Sequence, residues 1–240
     1  MPDLTPYFDA LDATWPAEEV IPCGPFTLRR SAGGGKRVTA ATAQGPATVA
    51  DIEQAERGMR DLDQLPMFSL RPDDGALDDL LASQGYASVD RTNILTIPAA
   101  DLAAETPNPE QVSLAVWEPL AIQLEYWTEG GIGPDRISVM ERADCTKTTL
   151  IGRHENSPGG TAYIGIHDDV AMLHALEIVE PARRMGVGTS MTIQAAQWAQ
   201  AQGATTFCAL CVESNTAANA LFAKLGMQLA GQYHYRIKES

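Results

Sequence analysis

The chain has 240 residues, of which 45% are hydrophobic and 20% charged, with a formal net charge of −14 at pH 7. Acids outnumber bases by 15 to eight in residues 1–100 and by 16 to nine in residues 101–240. Neither half has the lysine and arginine surface that phosphate backbones require, so we predict no nucleic-acid and no membrane partner. The excess acid would instead favour a cationic acceptor such as an amine. The N-terminus has no apolar targeting run, so we expect a cytoplasmic protein.

In the first half of the chain, the spacing of apolar and turn residues predicts short helices that alternate with strands. Its glycine-rich run, Gly33-Gly34-Gly35-Lys36, lies between two strand-like segments and opens no helix. We therefore expect a hairpin loop there rather than a phosphate loop. The expected elements are helix 4–15, strands 26–30 and 37–42, helix 48–65, strand 67–70, helix 76–84 and strand 87–97.

The second half follows a polar segment that contains three prolines and that we interpret as a linker. Gly130, Gly131 and Gly133 are followed by Pro134, and this segment is expected to form a loop over an acceptor site. The expected elements are a strand from 112, helix 119–127, strands 147–153, 160–167 and 170–179, a helix ending near 202, strand 205–212, helix 215–225 and strand 227–237.

Residues 173–190 predict a strand, a glycine turn and the start of a helix. Gly186 and Gly188 remove two β-carbons at the turn, so consecutive N–H groups can point outward at the positive end of the helix dipole. This arrangement is an anion cradle. The lysine of a P-loop and the third glycine of a dinucleotide turn are both missing.

Two ordered motifs resemble those of the GNAT superfamily of N-acyltransferases. Arg183, Gly186 and Gly188 match the acyl-CoA-binding pattern Arg/Gln-x-x-Gly-x-Gly/Ala. About 27 residues after Gly188, Asn215 opens an Asn-x-x-Ala motif that continues to an aromatic residue and Leu-Gly. An ordinary strand, turn and helix with glycine caps is the alternative interpretation of the turn.

The resemblance implies a GNAT fold, an α/β (α+β) mixed sheet, over about residues 112–237. Strand 67–70, helix 76–84 and strand 87–97 repeat the element order of strand 205–212, helix 215–225 and strand 227–237. The N-terminal half therefore looks like a smaller, degenerate GNAT-like copy without the glycine turn. We predict an accessory lobe at 1–98, a linker at 99–111 and the catalytic domain at 112–240.

The resemblance also implies acetyl-CoA (coenzyme A) as cofactor, lying in a splay between the strand before the glycine turn and the strand before Asn215. The implied activity is acetyl transfer to a primary amine of a small molecule or peptide, by a monomer or a homodimer. The implied cofactor-binding residues are Leu176, Ile178, Val179, Arg183, Arg184, Met185, Gly186, Val187, Gly188, Thr189, Ser190, Asn215, Ala218 and Phe222.

His174 is the first candidate for the base that must deprotonate the amine, because its ordinary pKa lies near 6.5. Its context, Leu-His-Ala-Leu twelve residues before the first motif glycine, is similar to that of the arylalkylamine N-acetyltransferases, which implies a role in proton removal. The alternative is a buried structural histidine. Glu177 is the competing base, and strand alternation predicts that it points to the opposite face.

The departing thiolate needs a proton, which a tyrosine seven residues after the motif asparagine provides in many family members. Here that residue is Phe222, which has no proton to give, so Tyr233 or Tyr235 of the last strand could replace it. This departure supports a second hypothesis, a non-catalytic acyl-CoA-binding regulatory module. The histidines do not cluster with cysteines or carboxylates, and we predict no metal site.

Overall fold

The computed structural model describes residues 3–238, and its strands form one mixed sheet. The sheet has eleven strands in the order β1-β2-β3-β4-β11-β5-β10-β9-β8-β7-β6. The mixed α/β class predicted from the sequence is thereby confirmed. The strands are β1 (Glu19–Cys23), β2 (Phe26–Arg30), β3 (Ala41–Ala43), β4 (Met67–Leu70), β5 (Ala87–Pro98), β6 (Ser113–Val116), β7 (Thr146–His154), β8 (Ser157–His167), β9 (Val170–Ile178), β10 (Thr206–Val212) and β11 (Gln228–Ile237).

Within residues 3–238, eight α-helices connect and cover these strands. They are α1 (Thr5–Thr14), α2 (Val49–Asp61), α3 (Gly75–Ser83), α4 (Ala99–Ala103), α5 (Ala121–Glu129), α6 (Pro134–Arg142), α7 (Val187–Ala201) and α8 (Thr216–Lys224). Helices α1, α5 and α6 pack on one face of the sheet, which we call the front face. Helices α4, α7 and α8 pack on the opposite, back face over the C-terminal strands.

The two halves of the chain share one pattern of strand pairing. In the N-terminal half β1 pairs with β2 and β2 with β3 in antiparallel fashion, and β3 pairs with β4 in parallel. In the C-terminal half β7, β8, β9 and β10 repeat those relations in the same order. The last strands are exchanged, since β11 lies beside β4 and β5 lies beside β10. The division at residues 98 and 112 stays a prediction.

Several local expectations were wrong. The strand expected at 37–42 is instead a 3₁₀ turn, Lys36–Val38, followed by β3, and the turn buries Val38 completely. The glycine run therefore opens a helical turn, so it is not a simple hairpin loop. The segment predicted as a linker contains α4, which packs on α7, and its role as a boundary between two domains stays a prediction. Strand β1 and helix α6 were not predicted, although Pro134 and Asp135 are typical of a helix start.

Candidate active site

The glycine turn leaves the start of α7 open. Gly186 has φ +89°, which favours glycine, and the first helical hydrogen bond runs from the Ser190 N–H to the Gly186 carbonyl at 3.0 Å. In the described chain, no side chain caps α7 and no acidic residue lies in its first turn. The N–H groups that precede Ser190 therefore face out of the helix end, where the dipole favours an anion.

The strand before this turn, β9, separates from its neighbour β10, as expected. The parallel pairing of β9 with β10 ends at Leu173 and Ala209, after which the two strands diverge. A cleft of about 780 Å³ opens between the end of β9, the glycine turn and α8. Of the residues proposed to hold the cofactor, those that line the cleft are Leu176, Ile178, Arg183, Arg184, Gly186, Gly188, Thr189, Asn215 and Ala218; the base candidate Glu177 lines it as well.

The other five proposed cofactor residues do not line the cleft. Val187 and Phe222 belong to the back-face core, with 1% and 5% of their surfaces exposed. Ser190 donates a hydrogen bond to Gln111 Oε1 at 3.0 Å, so its hydroxyl has a structural partner. Val179 and Met185 are the other two proposed cofactor residues that do not line the cleft.

Six residues that line the cleft were not predicted from the sequence. They are Glu180, Ala182, Ala217, Ala220, Leu221 and Lys224. Four of them lie on α8, together with Ala218, at the three- and four-residue spacing of one helix face. Counting residues along α8 from Asn215 would have predicted these four residues at the cleft. It would also have placed Phe222 on the buried face.

A β-bulge brings His174 and Glu177 to the same face of the sheet. His174 pairs with Tyr163 and Glu177 with Thr161, and residues two apart on β8 point to the same side. The extra residue on β9 is absorbed beside Ala175, which has φ +51°. The prediction that the two candidate bases face opposite sides was therefore wrong, because simple alternation assumes a regular strand.

His174 is buried, with 3% of its surface exposed, and its ring stacks on Trp15 at a centroid distance of 5.0 Å. Its Nε2 lies 2.9 Å from Thr14 Oγ1, and that hydroxyl donates to the Ala10 carbonyl at 2.6 Å. We therefore assign the ring proton to Nε2, which donates to Thr14. Nδ1 has no hydrogen-bond partner in residues 3–238.

Burial, and next the positive charge of Arg37, lower the pKa of His174 well below its ordinary value. The imidazole is thus neutral at pH 7, with a lone pair available on Nδ1. Glu177 is engaged differently, because its Oε1 accepts from Arg183 at 3.1 Å. The Arg183 side chain, expected to contact phosphate, also donates to the Ile178 carbonyl at 2.9 Å.

A second cavity, of about 270 Å³, lies on the front face and we call it the front cavity. Ala175 and Val212 line it just beyond the last paired residues of β9 and β10, so it adjoins the opening between the two strands. Trp15, which covers His174, forms part of its wall. Tyr233 lines this cavity and not the cleft, and its role as proton donor to a thiolate stays a prediction.

No helix within residues 3–238 combines the length and apolar character needed to cross a bilayer. In the same part of the chain, no three or more histidine, cysteine, aspartate or glutamate side chains are grouped so that they could hold a metal ion.

The part of the chain that contains this site resembles a known family. The model of the Acetyltransferase (GNAT) family matches residues 115–227, which contain β9, the glycine turn and α8. The matched region, in the C-terminal half of the chain, is thus similar to a GNAT acetyltransferase domain.

Relatives cover the whole chain rather than this domain alone. The chain is 26% identical over 239 residues to YobR of Bacillus subtilis strain 168, described as an uncharacterized N-acetyltransferase, with 94% of this chain and 95% of that protein covered. A GCN5-related N-acetyltransferase from Kribbella flavida has a similar structure, with a TM-score of 0.77 and 18% identity. The similarity covers 100% of this chain and 97% of that one. A tandem GNAT protein from the clavulanic acid biosynthesis pathway has a TM-score of 0.64 at 11% identity. That similarity covers 83% of this chain and 75% of that one. The tandem neighbour agrees with a GNAT-like N-terminal half.

Proposed function

We propose that the protein transfers an acetyl group from acetyl-CoA to the primary amine of a small molecule or peptide. The observation that carries this proposal is the uncapped start of α7, which opens into the cleft where β9 and β10 separate. A cradle of this kind takes pyrophosphate in many folds. A β-carbon at Gly188 would lie 3.4 Å from Leu221 and 3.6 Å from Ile178, so larger side chains there would fill the passage.

The residues around the cleft suit the chemical groups of coenzyme A. The N–H groups before Ser190, with Arg184 and Lys224, would hold the phosphates. The apolar walls formed by Leu176 and Leu221 would contact the pantetheine arm. Bound acetyl-CoA would supply an acetyl group activated as a thioester.

His174 is the proposed proton acceptor for the attacking amine. The lone pair on Nδ1, which has no partner in the described chain, supports this role. Because His174 is buried and Trp15, which stacks on its ring, lines the front cavity, we propose that an ordered water carries the proton to Nδ1. Glu177 remains the competing base at the cleft, where its carboxylate forms an ion pair with Arg183.

The reaction is tested by acetyl-CoA-dependent thiol release with a panel of primary amines, followed by mass analysis of the acetylated product. Transfer to at least one amine is expected. If acetyl-CoA binds but neither thiol nor acetylated amine forms with any member of the panel, the non-catalytic binding module becomes the better description. Phe222, which cannot donate a proton, is the feature that favours that second function.

The base is tested by comparing His174→Gln with Glu177→Gln. Replacing His174 should lower kcat by about 10²- to 10⁴-fold, the usual contribution of a general base. The affinity for acetyl-CoA should hardly change, because His174 does not line the cleft. Wild-type turnover in His174→Gln together with a large loss in Glu177→Gln would transfer the role to Glu177.

A further inference from the structure

The front cavity carries more positive charge than the acidic chain around it would lead one to expect. Its lining includes Arg37, Arg136 and Lys36, with Asp90 as the carboxylate among the lining residues. Lys36 and Asp90 form an ion pair at 2.9 Å. Arg37 and Arg136 have no carboxylate partner among the ion pairs of residues 3–238. Among the described residues, two of the cations that line the cavity therefore form no ion pair with a carboxylate.

Arg37 is held in place by the glycine run of the N-terminal half. Gly34 has φ +84°, and a β-carbon there would lie 2.8 Å from Val139 of α6, so the loop approaches that helix closely. The guanidinium of Arg136 extends over Gly35, 3.5 Å from the position of a β-carbon. Beyond the run, Val38 is fully buried and anchors the 3₁₀ turn. The loop thus supports the two arginines that line the cavity.

Arg37 lies beside the opening between β9 and β10, where the proposed acetyl transfer would take place. Its Nη2 donates to the carbonyl of Leu210 at 3.2 Å, and Leu210 is the first residue of β10 beyond the last pair with β9. The guanidinium has five N–H donors, and that carbonyl accounts for one of them. Beside it, the hydroxyl of Tyr233 is buried and has no hydrogen-bond partner in the described chain. A buried hydroxyl without a partner is costly unless a ligand satisfies it.

From these contacts we infer that Arg37 and Tyr233 bind a carboxylate of the acceptor, and that the acceptor is an α-amino acid or a similarly short amino acid. This inference rests on the proposed function. Guanidinium donors match a planar carboxylate in pairs, and the phenol can donate a further hydrogen bond to it. Because Arg37 lies next to the opening between β9 and β10, the amine and the carboxylate must be close together in the acceptor. Trp15, Ile132 and Tyr235 supply an apolar wall for its side chain.

The first test measures binding without turnover. The thermal shift of the protein saturated with CoA is recorded with each of the twenty protein amino acids, and each amino acid that responds is compared with its amide. At least one amino acid should raise Tm, and its amide should do so at least about tenfold less potently, because it lacks the charge. Equal potency of acid and amide, or a response to amides alone, would overturn the inference.

The second test uses variants in the same binding measurement and in the transfer assay. Arg37→Met should weaken amino-acid binding and reduce kcat/KM by about 10- to 100-fold, whereas the ratio between acid and amide should approach one. In the binding measurement, Tyr233→Phe should weaken the response to the acid about tenfold and leave the response to the amide unchanged. An unchanged ratio in both variants would refute the carboxylate site. Transfer to neutral amines with no preference for acids would leave the proposed function intact, and absence of all transfer with retained amino-acid binding would remove only the function.

Discussion

The two halves of the molecule contain corresponding helix starts, and only one of them is open. In the N-terminal half, α2 follows β3 as α7 follows β9. Thr48 caps α2 by accepting from the Asp51 N–H, and Asp51 accepts from the Thr48 N–H at 2.8 Å. The Asp51 carboxylate accepts hydrogen bonds from the Thr48 hydroxyl at 2.7 Å and from the Thr48 N–H, and these two bonds, in that order, lower the pKa of Asp51. A protein carboxylate thus already occupies the position that an anion would take.

The comparison shows what the glycine turn adds to an ordinary strand, turn and helix. A helix start binds a foreign anion only if its own side chains leave the N–H groups unsatisfied. Gly186 provides the turn without a capping side chain, and the first turn of α7 has no acid. The same architecture therefore supports a binding site in one half and a closed structural joint in the other.

The largest expected effect is the loss of cofactor binding on blocking the open turn. CoA at about 100 times its dissociation constant should stabilise the wild type by about 2.7 kcal/mol, or roughly 5–10 °C in Tm. Gly188→Val should abolish this shift, because its side chain would project toward Leu221 and Ile178. The apo protein should remain folded.

The matched control for this change lies in the N-terminal half. Gly45 precedes α2, and a β-carbon there would meet no atom within 4 Å. Gly45→Val should therefore keep the full CoA-induced shift. If Gly188→Val also retained it at the same CoA concentrations, the cleft beside α7 would not be the cofactor site.

Local rules explain how much of this could be predicted from the sequence. The glycine turn and the start of α8 depend on residues close together in the chain, such as Gly186 and Asn215, whose conformations are set by their own backbone and side-chain chemistry. For the same reason, most helices and strands were predicted close to their observed bounds.

The features that were missed depend on contacts between distant segments. The bulge at Ala175 follows from the pairing of β9 with β8, and the exchange of β5 and β11 from the assembly of both halves. The position of Arg37 at the front cavity depends on Leu210, which lies 173 residues away in the chain. No local pattern encodes such contacts, and strand alternation even predicted the wrong face for Glu177.

The strands before the two turns should also differ in their pH response. β3 has three residues and no histidine, whereas β9 buries His174, whose pKa is lowered in the folded state. The unfolded chain binds that proton more readily, so the contribution is fully present above pH 6.5 and is lost as the pH falls. The free energy of unfolding should decrease by up to about 1.4 kcal/mol per pH unit below 6.5 from this group.

Urea unfolding at pH 7.5, 6.5 and 5.5 measures this contribution. The wild type should lose stability faster than His174→Gln as the pH falls, since the variant lacks the titrating group. Carboxylates contribute equally to both proteins and cancel in the difference. Parallel losses in the two proteins would show that His174 accepts a proton in the folded state as easily as in the unfolded one.

The smallest expected effect comes from opening the closed turn. Thr48→Ala removes the side chain that accepts from the Asp51 N–H, and should cost about 1 kcal/mol of stability, or roughly 2–4 °C in Tm. CoA binding should not change, because Asp51 still carries its charge at the start of α2 and repels phosphate. Titration calorimetry should find one CoA per chain in the wild type and in the variant. Two CoA molecules per chain in the wild type would mean that the capped turn binds the cofactor as well, and a second site appearing only in Thr48→Ala would mean that the threonine cap, rather than the Asp51 charge, is what closes the N-terminal half.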